Sequence, residues 1–121
     1  MVKALFDTNI LIDYLNGKKP AKEELARYKD KAISLITWME VMVGSTPTTE
    51  RMLGAFLNHF TRLPIDDEVA GLAVQLRRDH KLKIPDAIIW ATAIHNDRIL
   101  ISRNTKDFDG STPGIRIPYS L

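Results

Sequence analysis

Four acidic residues lie at or beside the ends of predicted strands, where carboxylates can take part in chemistry. They are Asp7 after the first strand, Glu40 just after the second, Asp86 before the fourth, and Asp107 after the fourth together with its neighbour Asn104. Because the carboxyl ends of parallel strands line one edge of a sheet, these side chains are expected to face a common crevice. Carboxylates gathered there repel one another and raise their own pKa values unless a cation balances them.

The kind of cation follows from the available ligands. The sequence has no cysteine, and its histidines, His59, His80 and His95, are isolated from one another and are more typical of helix surfaces or helix ends. Oxygen ligands alone favour a hard ion, Mg²⁺ or Mn²⁺. Glycine-rich phosphate loops and a Gly-x-Ser-x-Gly elbow are also absent from the sequence. The acids are therefore the pattern that predicts chemistry.

Each acid also has an ordinary structural explanation. Asp7 is a suitable helix cap, and Thr37 with Glu40 three residues later has the spacing of a capping box. Asp86 would suit the dipole at a helix start, and Asp107 is a common turn residue. All of these explanations stay open for the single residues. The occurrence of four such acids at one edge is what favours a site.

The predicted elements alternate between strand and helix. Apolar runs predict strands at residues 2–6, 31–36, 98–102 and 115–117, with a strand remnant at 63–65. Apolar spacing predicts helices at residues 9–15, 21–28, 38–43, 47–60, 67–80 and 87–96, the third capped by Thr37 and the fifth by Asp66. This alternation indicates an α/β fold, with a central mostly parallel sheet and helices on both faces.

The composition fits one domain spanning residues 1–121. The chain is 45% hydrophobic, which is enough to bury one core. The absence of cysteine suits a reducing cytoplasm, and the sequence shows neither a signal peptide nor a membrane-spanning apolar run. The net charge of +2 is too small to indicate a partner. We expect a soluble, cytoplasmic protein.

Four ordered motifs resemble those of the PIN-domain ribonucleases, and more narrowly those of VapC toxins from bacterial and archaeal toxin–antitoxin pairs. The motifs are LFDTNILI at 5–12, TWMEV at 37–41 with Gly44, PDAIIWATA at 85–93 and LISRNTKDF at 100–108. The resemblance extends from residue 1 to about residue 117. It implies a PIN-like three-layer α/β/α fold and a Mg²⁺-dependent ribonuclease, commonly a homodimer, held inactive by a VapB antitoxin.

Residue by residue, the resemblance implies acidic site positions at Asp7, Glu40 and Asp86. It also implies small hydroxyl positions near the metal at Thr8 and Ser102. Asp7 and Asp86 would bind the ion directly or through one water, and Glu40 would bind it or orient the attacking water. A carboxylate-held Mg²⁺ activates water and neutralises the leaving oxygen, which is what phosphodiester hydrolysis requires.

The fourth acidic position is less well defined by the resemblance. Some family members have a carboxylate where this chain has Asn104, and others use the position of Asp107. We expect Asp107 to belong to the site, either on the metal or next to its ligands, with Asn104 beside it. Because Asn104 is neutral, the number of metal ions in the site, one or two, stays open.

Two further expectations concern binding surfaces. Basic residues in loops at the same edge are either RNA contacts or solvated charge, namely Lys18, Lys19, Arg103 and Lys106. An apolar stripe exceeds what a small sheet needs for its core, with Met52, Phe56 and Phe60 beside Tyr14 and Tyr28. This stripe predicts a symmetric homodimer or an antitoxin groove.

Other classes of protein fit the sequence less well. A haloacid-dehalogenase phosphatase needs a second carboxylate two residues after Asp7, where this chain has Asn9. A receiver domain needs an acidic pair before the end of its first strand, and this pair is missing. A catalytically silent nucleic-acid-binding module would be expected to have lost an acid. A housekeeping PIN nuclease in RNA processing remains a full alternative to a toxin.

Overall fold

The computed structural model describes residues 2–121, so the first residue of the predicted domain, Met1, lies outside the described residues. The strands are β1 Lys3–Phe6, β2 Asp30–Ser34, β3 Thr61–Leu63, β4 Ile99–Ile101 and β5 Ile115–Arg116. The helices are α1 Thr8–Leu15, α2 Lys19–Ala26, α3 Leu35–Val43, α4 Glu50–Leu57, α5 Asp67–His80 and α6 Ile84–His95. Within this part of the chain, no helix is long and apolar enough to cross a membrane.

The strands form a single five-stranded sheet in the order β3-β2-β1-β4-β5. Neighbouring strands are parallel throughout, and the central strand places Leu5 opposite Ala32 on one side and Leu100 on the other. Parallel neighbours cannot be joined by a tight turn, so helices connect them across the sheet. The predicted PIN-like α/β/α fold is confirmed, and the sheet of the described residues is fully parallel.

The core has two parts, one on each face of the sheet. Successive residues of β1 point to opposite faces, so Leu5 packs with residues of α5 and α6 such as Val69 and Ile89. Phe6 packs on the other face with residues of α1 to α4 such as Ile10. Both faces of β1 are thus sealed from water, and its carboxyl end delivers Asp7 to the edge of the sheet.

The second strand and the helix after it differ from the prediction. Strand β2 ends at Ser34, and the Ser34 hydroxyl accepts a hydrogen bond of 3.3 Å from the Ile36 amide, so α3 begins at Leu35. Thr37 is buried inside the first turns of the helix and does not cap it. The predicted capping box of Thr37 and Glu40 is therefore wrong, because Ser34 supplies the cap three residues earlier. Glu40 is left free for other contacts.

Two helices begin earlier than predicted because proline lies in their first turn. Pro20 is the second residue of α2, and Pro85 is the second residue of α6. A proline there loses no helical hydrogen bond, since the first amides of a helix have no partner within it. Pro85 places Asp86 inside the first turn of α6, two residues after the helix starts.

The segment from residue 46 to residue 65 also differs in its boundaries. Helix α4 covers Glu50–Leu57 and is shorter than the predicted 47–60, because Thr46 and Thr49 form a hydrogen-bonded turn before it. The strand is Thr61–Leu63, which begins two residues before the predicted remnant at 63–65 and overlaps it at Leu63. On the apolar stripe, Phe60 is buried and Met52 is 62% exposed. The dimer or antitoxin groove predicted from this stripe stays a prediction.

The capping role of Ser34 gives a stability prediction. We expect Ser34→Ala to lower the free energy of unfolding by about 1–2 kcal/mol, because the Ile36 amide loses its cap and buried Thr92 loses a hydroxyl neighbour at 3.4 Å. Urea unfolding would measure the loss. The control is Ser120→Ala, since Ser120 is exposed near the end of the chain. Equal stability of the two variants would contradict the capping role.

Candidate active site

Asp7 lies at the carboxyl end of the central strand and is only 3% exposed. Its Oδ1 accepts a hydrogen bond of 2.7 Å from the Thr8 amide, which caps α1. Its Oδ2 accepts hydrogen bonds from Ser102 Oγ at 2.7 Å and from Asn9 Nδ2 at 3.2 Å. The capping interpretation of Asp7 is thus correct for one oxygen, while the other joins the side chains at the sheet edge.

Burial raises the pKa of Asp7, and it outweighs the hydrogen bonds from Ser102 and Thr8, which act in the opposite direction. The negative charge of Glu40 adds to the increase. A buried carboxylate with a like charge nearby is costly in the ionised form. Asp7 is therefore a group that a nearby cation would stabilise.

Asp86 is the predicted acid whose pKa responds to the charges of the other three. Burial is the largest cause that raises the pKa of Asp86 to about 6. The negative charges of Asp7 and Asp107 come next, and the charge of Glu40 adds a smaller increase. Three other carboxylates, from three separate segments of the chain, thus lie close enough for their charges to act on Asp86.

Glu40 is exposed on α3 and faces the start of α1. Its Oε1 lies 2.7 Å from Thr8 Oγ1, and the same Thr8 oxygen lies 3.0 Å from Thr37 Oγ1. The hydrogen bond between Thr8 and Glu40 connects the acid of the second predicted motif to the residue after Asp7. Thr8 therefore orients Glu40 beside the buried carboxylate.

Asp107 and Asn104 form a reciprocal pair in the loop after β4. Asn104 Nδ2 donates to Asp107 Oδ2 at 2.9 Å, and the Asp107 amide donates to Asn104 Oδ1 at 3.2 Å. Both polar ends of the Asn104 side chain are thus used on Asp107. Asn104 thus holds Asp107 in place, and the charge of Asp107 is among the causes that raise the pKa of Asp86. Which of the two residues belongs to the site stays a prediction.

Ser102 and Asn9 join the loop after β4 to the start of α1. Ser102 is fully buried, and besides donating to Asp7 its hydroxyl accepts a hydrogen bond of 3.0 Å from the Asn104 amide. Asn9 reaches Ser102 Oγ at 3.3 Å and accepts a hydrogen bond of 3.1 Å from the Arg103 amide. Sequence reasoning missed this bridging role of Asn9. The available signal was its position two residues after Asp7 in the first motif.

The predicted RNA contacts have different surroundings. Lys106 is exposed in the loop beside Asp107, and Lys18 and Lys19 line an open groove together with Tyr14. Arg103 is instead paired with Asp13, at 2.6 Å and 2.9 Å from its two carboxylate oxygens. Three of these cations are therefore on the surface, and the fourth is engaged by a buried acid.

The chemistry of these side chains fits a hard divalent cation. Among residues 2–121, no three acidic or histidine side chains form a group that is ready to hold an ion. Magnesium retains several waters and is commonly bound through only one or two carboxylates, so a closed protein cage is not required. The groups that raise the pKa of Asp86 by their charge are all acids. A cation among them would offset this repulsion.

The comparisons with known proteins agree with the fold and the motifs. The chain matches the family model described as PIN domain over residues 4–110. Its structure is similar to that of a toxin–antitoxin complex from Klebsiella pneumoniae, with 49% identity, a TM-score of 0.93, and coverage of 98% of this chain and 100% of that chain. No curated protein matches the chain.

More distant structures share the fold. FitAcB from Neisseria gonorrhoeae is 24% identical with a TM-score of 0.81, and the match covers 98% of this chain and 99% of that one. DNA-bound VapBC from Salmonella typhimurium is 24% identical with a TM-score of 0.76, and the match covers 96% of both chains. With the family model matching most of its length, this chain belongs to the PIN-domain family.

Proposed function

We propose that this PIN-domain protein is a Mg²⁺-dependent ribonuclease and the toxin of a VapBC-type toxin–antitoxin pair. The observation that carries the proposal is the repulsion that three other carboxylates, Asp7, Glu40 and Asp107, exert on Asp86 at the carboxyl edge of the sheet. A fold that only needed to be stable would not gather uncompensated acids in this way, because their repulsion lowers stability. A site for a cation accounts for the arrangement.

The metal ligands in this proposal are Asp7 and Asp86, with Glu40 and Asp107 beside them. When bound, Mg²⁺ would supply an activated water and neutralise the leaving oxygen, and Mn²⁺ would substitute for it. Ser102 fixes Asp7 by its hydrogen bond of 2.7 Å, so this carboxylate is oriented before any ion arrives. A carboxylate that is already oriented loses little conformational freedom when it binds a metal ion.

Glu40 has the position of a proton acceptor in this scheme. It is exposed at the rim of the site, and its Oε1 is held by Thr8 at 2.7 Å, which leaves Oε2 open to solvent or substrate. We assign to it the orientation of the attacking water. The buried Asp7, whose oxygens are occupied by Thr8, Ser102 and Asn9, is less suited to move a proton.

The RNA backbone would be bound by exposed cations, and such contacts give salt-dependent binding. Lys106 lies in the loop beside Asp107 and is the first candidate. Lys18 and Lys19 follow the end of α1 that is far from Asp7, and Lys19 lies 3.9 Å from Glu23, so they would contact only a longer RNA. Glu40 is exposed at the acidic edge, which suits a single-stranded or looped RNA whose backbone can approach it. Arg103 contributes less to this binding, because Asp13 engages its guanidinium.

The proposed partner is a VapB-like antitoxin, and the proposed assembly is a homodimer in the cytoplasm. Support comes from the Klebsiella pneumoniae relative, which is 49% identical and was solved as a toxin–antitoxin complex. A housekeeping PIN nuclease would share the same acids. The presence of a short antitoxin reading frame beside the gene distinguishes the two.

The central test of the nuclease is the charge of Asp7. Purified protein should cleave structured RNAs with Mg²⁺ or Mn²⁺ and stop with a chelator. Asp7→Asn should lower cleavage by more than about 100-fold, because a buried anionic ligand is lost while its shape is kept. Asp97→Asn is the matched control, since Asp97 is exposed in the turn before β4 at the amino end of the sheet, whereas Asp7 follows the carboxyl end of β1. Full activity of Asp7→Asn with Mg²⁺ would end the metal-nuclease proposal.

Stability without metal tests whether the acids repel one another. Asp86→Asn should raise the free energy of unfolding at pH 7. The increase of the Asp86 pKa to about 6 corresponds to a destabilisation of about 3 kcal/mol for a fully buried carboxylate. Because Asp86 is partly exposed, the expected gain in unfolding free energy for the variant is about 1 kcal/mol. Urea unfolding with chelator measures the gain. Added Mn²⁺ should then stabilise the wild type more than the variant, and a less stable variant would contradict the repulsion.

The loop after β4 gives a graded prediction. Asp107→Ala should raise the Mg²⁺ concentration for half-maximal cleavage by about ten- to a hundredfold, the usual cost of losing a group that supports a metal ligand. Asn104→Ala should raise it by less, because it frees Asp107 without removing its charge. Asn104→Asp should lower the Mg²⁺ requirement, since the new charge lies beside Asp107.

The control for this series is Asp109→Ala, which removes an exposed acid from the same loop and should leave the Mg²⁺ requirement unchanged. An unaltered Mg²⁺ requirement in Asp107→Ala would exclude Asp107 from the site. The measurement is the rate of RNA cleavage as Mg²⁺ is titrated at constant ionic strength.

A further inference from the structure

We infer that Asp13, Arg103 and Tyr119 form a clamp that positions the loop of residues 102–107 against Asp7 and thereby sets the affinity of the acidic edge for a divalent cation. This inference rests on the proposed function. None of the three residues would be a metal ligand or touch substrate. They are positioning residues, and they act through the neighbours of Arg103 in the chain.

The clamp is centred on the carboxylate of Asp13, which is 4% exposed on α1. The Arg103 guanidinium donates through Nε at 2.6 Å and through Nη2 at 2.9 Å, one bond to each oxygen. Tyr119 adds a third hydrogen bond of 2.8 Å from its hydroxyl. A two-pronged arginine–carboxylate pair fixes direction as well as distance, so Arg103 has one orientation relative to α1.

Arg103 is also held by its backbone, one helical turn away. Its amide donates to Asn9 Oδ1 at 3.1 Å, and Asn9 and Asp13 lie four residues apart on the same face of α1. Asn9 in turn reaches Asp7 Oδ2 at 3.2 Å. One face of α1 thus holds both ends of Arg103 and the buried carboxylate.

The neighbours of Arg103 in the chain are the residues that carry the effect to the site. Ser102 donates to Asp7 at 2.7 Å, and Asn104 donates to Asp107 at 2.9 Å. A rotation of Arg103 would turn both of these side chains, because one peptide bond separates each of them from it. The separation of Asp107 from Asp7 therefore depends on the clamp.

Tyr119 connects the C-terminal segment to this arrangement. It follows the edge strand β5, packs partly buried against the core cluster that contains Ile10 and Tyr14, and reaches Asp13 on α1. The hydroxyl is the only polar group of Tyr119's side chain. Its removal in Tyr119→Phe keeps the ring in the core and takes one hydrogen bond from Asp13.

The chain contains a matched arrangement that serves as the control. Glu24 on α2 is also 4% exposed, accepts an arginine fork from Arg116 at 2.8 Å and 3.1 Å, and accepts a hydrogen bond of 3.0 Å from the Tyr28 hydroxyl. Tyr28 lies beside Val2, next to the amino end of β1, whereas Asp7 follows its carboxyl end. The Arg116 carbonyl also accepts a hydrogen bond of 3.1 Å from the Ser102 amide, but this backbone bond continues the β4–β5 pairing and does not involve the Arg116 side chain. Loss of the side-chain contacts of this second triad should therefore lower stability without turning the loop of residues 102–107.

The experiment compares Tyr119→Phe and Arg103→Lys with Tyr28→Phe and Arg116→Lys in the full-length protein. Mn²⁺ affinity is measured by calorimetry without RNA, and the unfolding free energy is measured on the same samples. We expect Mn²⁺ affinity to fall about tenfold in Arg103→Lys and about threefold in Tyr119→Phe. Tyr28→Phe and Arg116→Lys should stay within about twofold of the wild type, with a similar loss of stability.

RNA kinetics separate the clamp from direct RNA binding. At saturating Mg²⁺ the KM for RNA should be unchanged in Arg103→Lys and Tyr119→Phe, while the Mg²⁺ concentration for half-maximal cleavage rises. A raised KM with unaltered Mn²⁺ affinity would make Arg103 an RNA contact and overturn the clamp. Equal changes of Mn²⁺ affinity in both triads, or none in either, would overturn it as well.

The wild type separates failure of the clamp from failure of the proposed function. If wild-type protein binds Mn²⁺ and cleaves RNA while both clamp variants match their controls, the clamp alone is overturned. If the wild type neither binds Mn²⁺ nor cleaves RNA, the proposed nuclease is overturned and the clamp with it. If Arg103→Lys fails to fold, Tyr119→Phe decides, because it removes only a hydroxyl.

Discussion

The burial of an ionisable carboxylate at the end of the central strand is the constraint on which the rest of the site depends. Asp7 is 3% exposed, and its charge is tolerated only because hydrogen bonds arrive from α1 and from the loop after β4. Those two segments must therefore be held in register. A displaced loop would leave Asp7 without Ser102, and the cost of the buried charge would rise.

The parallel sheet is what brings these segments together. Strands β1 and β4 are neighbours, and Leu5 lies opposite Leu100, so the residues after both strands emerge at the same edge. Each parallel crossover returns the chain to that edge with a new polar segment. Hydrophobic packing on both faces supplies the stability that allows four acids to be concentrated there, and Asp86 shows the cost in its raised pKa.

The sequence predicts what local patterns determine. Hydrophobic periodicity predicted the alternation of strands and helices and hence the sheet, and it placed Asp7 at a strand end. Hydrophobic periodicity could not decide which residue caps α3, because Ser34 and Thr37 are both suitable caps. Only the length of β2 selects Ser34. The helices predicted at 21–28 and 87–96 begin after Pro20 and Pro85, although each proline occupies a first turn where proline is tolerated.

Contacts between distant segments had no comparable signal. Arg103 and Asp13 are 90 residues apart, and nothing in either neighbourhood marks them as partners. From the sequence alone, an arginine in a loop near an acidic site is as consistent with phosphate binding as with an ion pair, and Arg103 was therefore predicted to be a possible RNA contact. Burial decides between these roles: Asp13 is 4% exposed, and Arg103 supplies the cation that offsets the cost of burying its charge. A basic residue beside a nuclease site is therefore to be assigned from its buried partners before its charge is attributed to RNA.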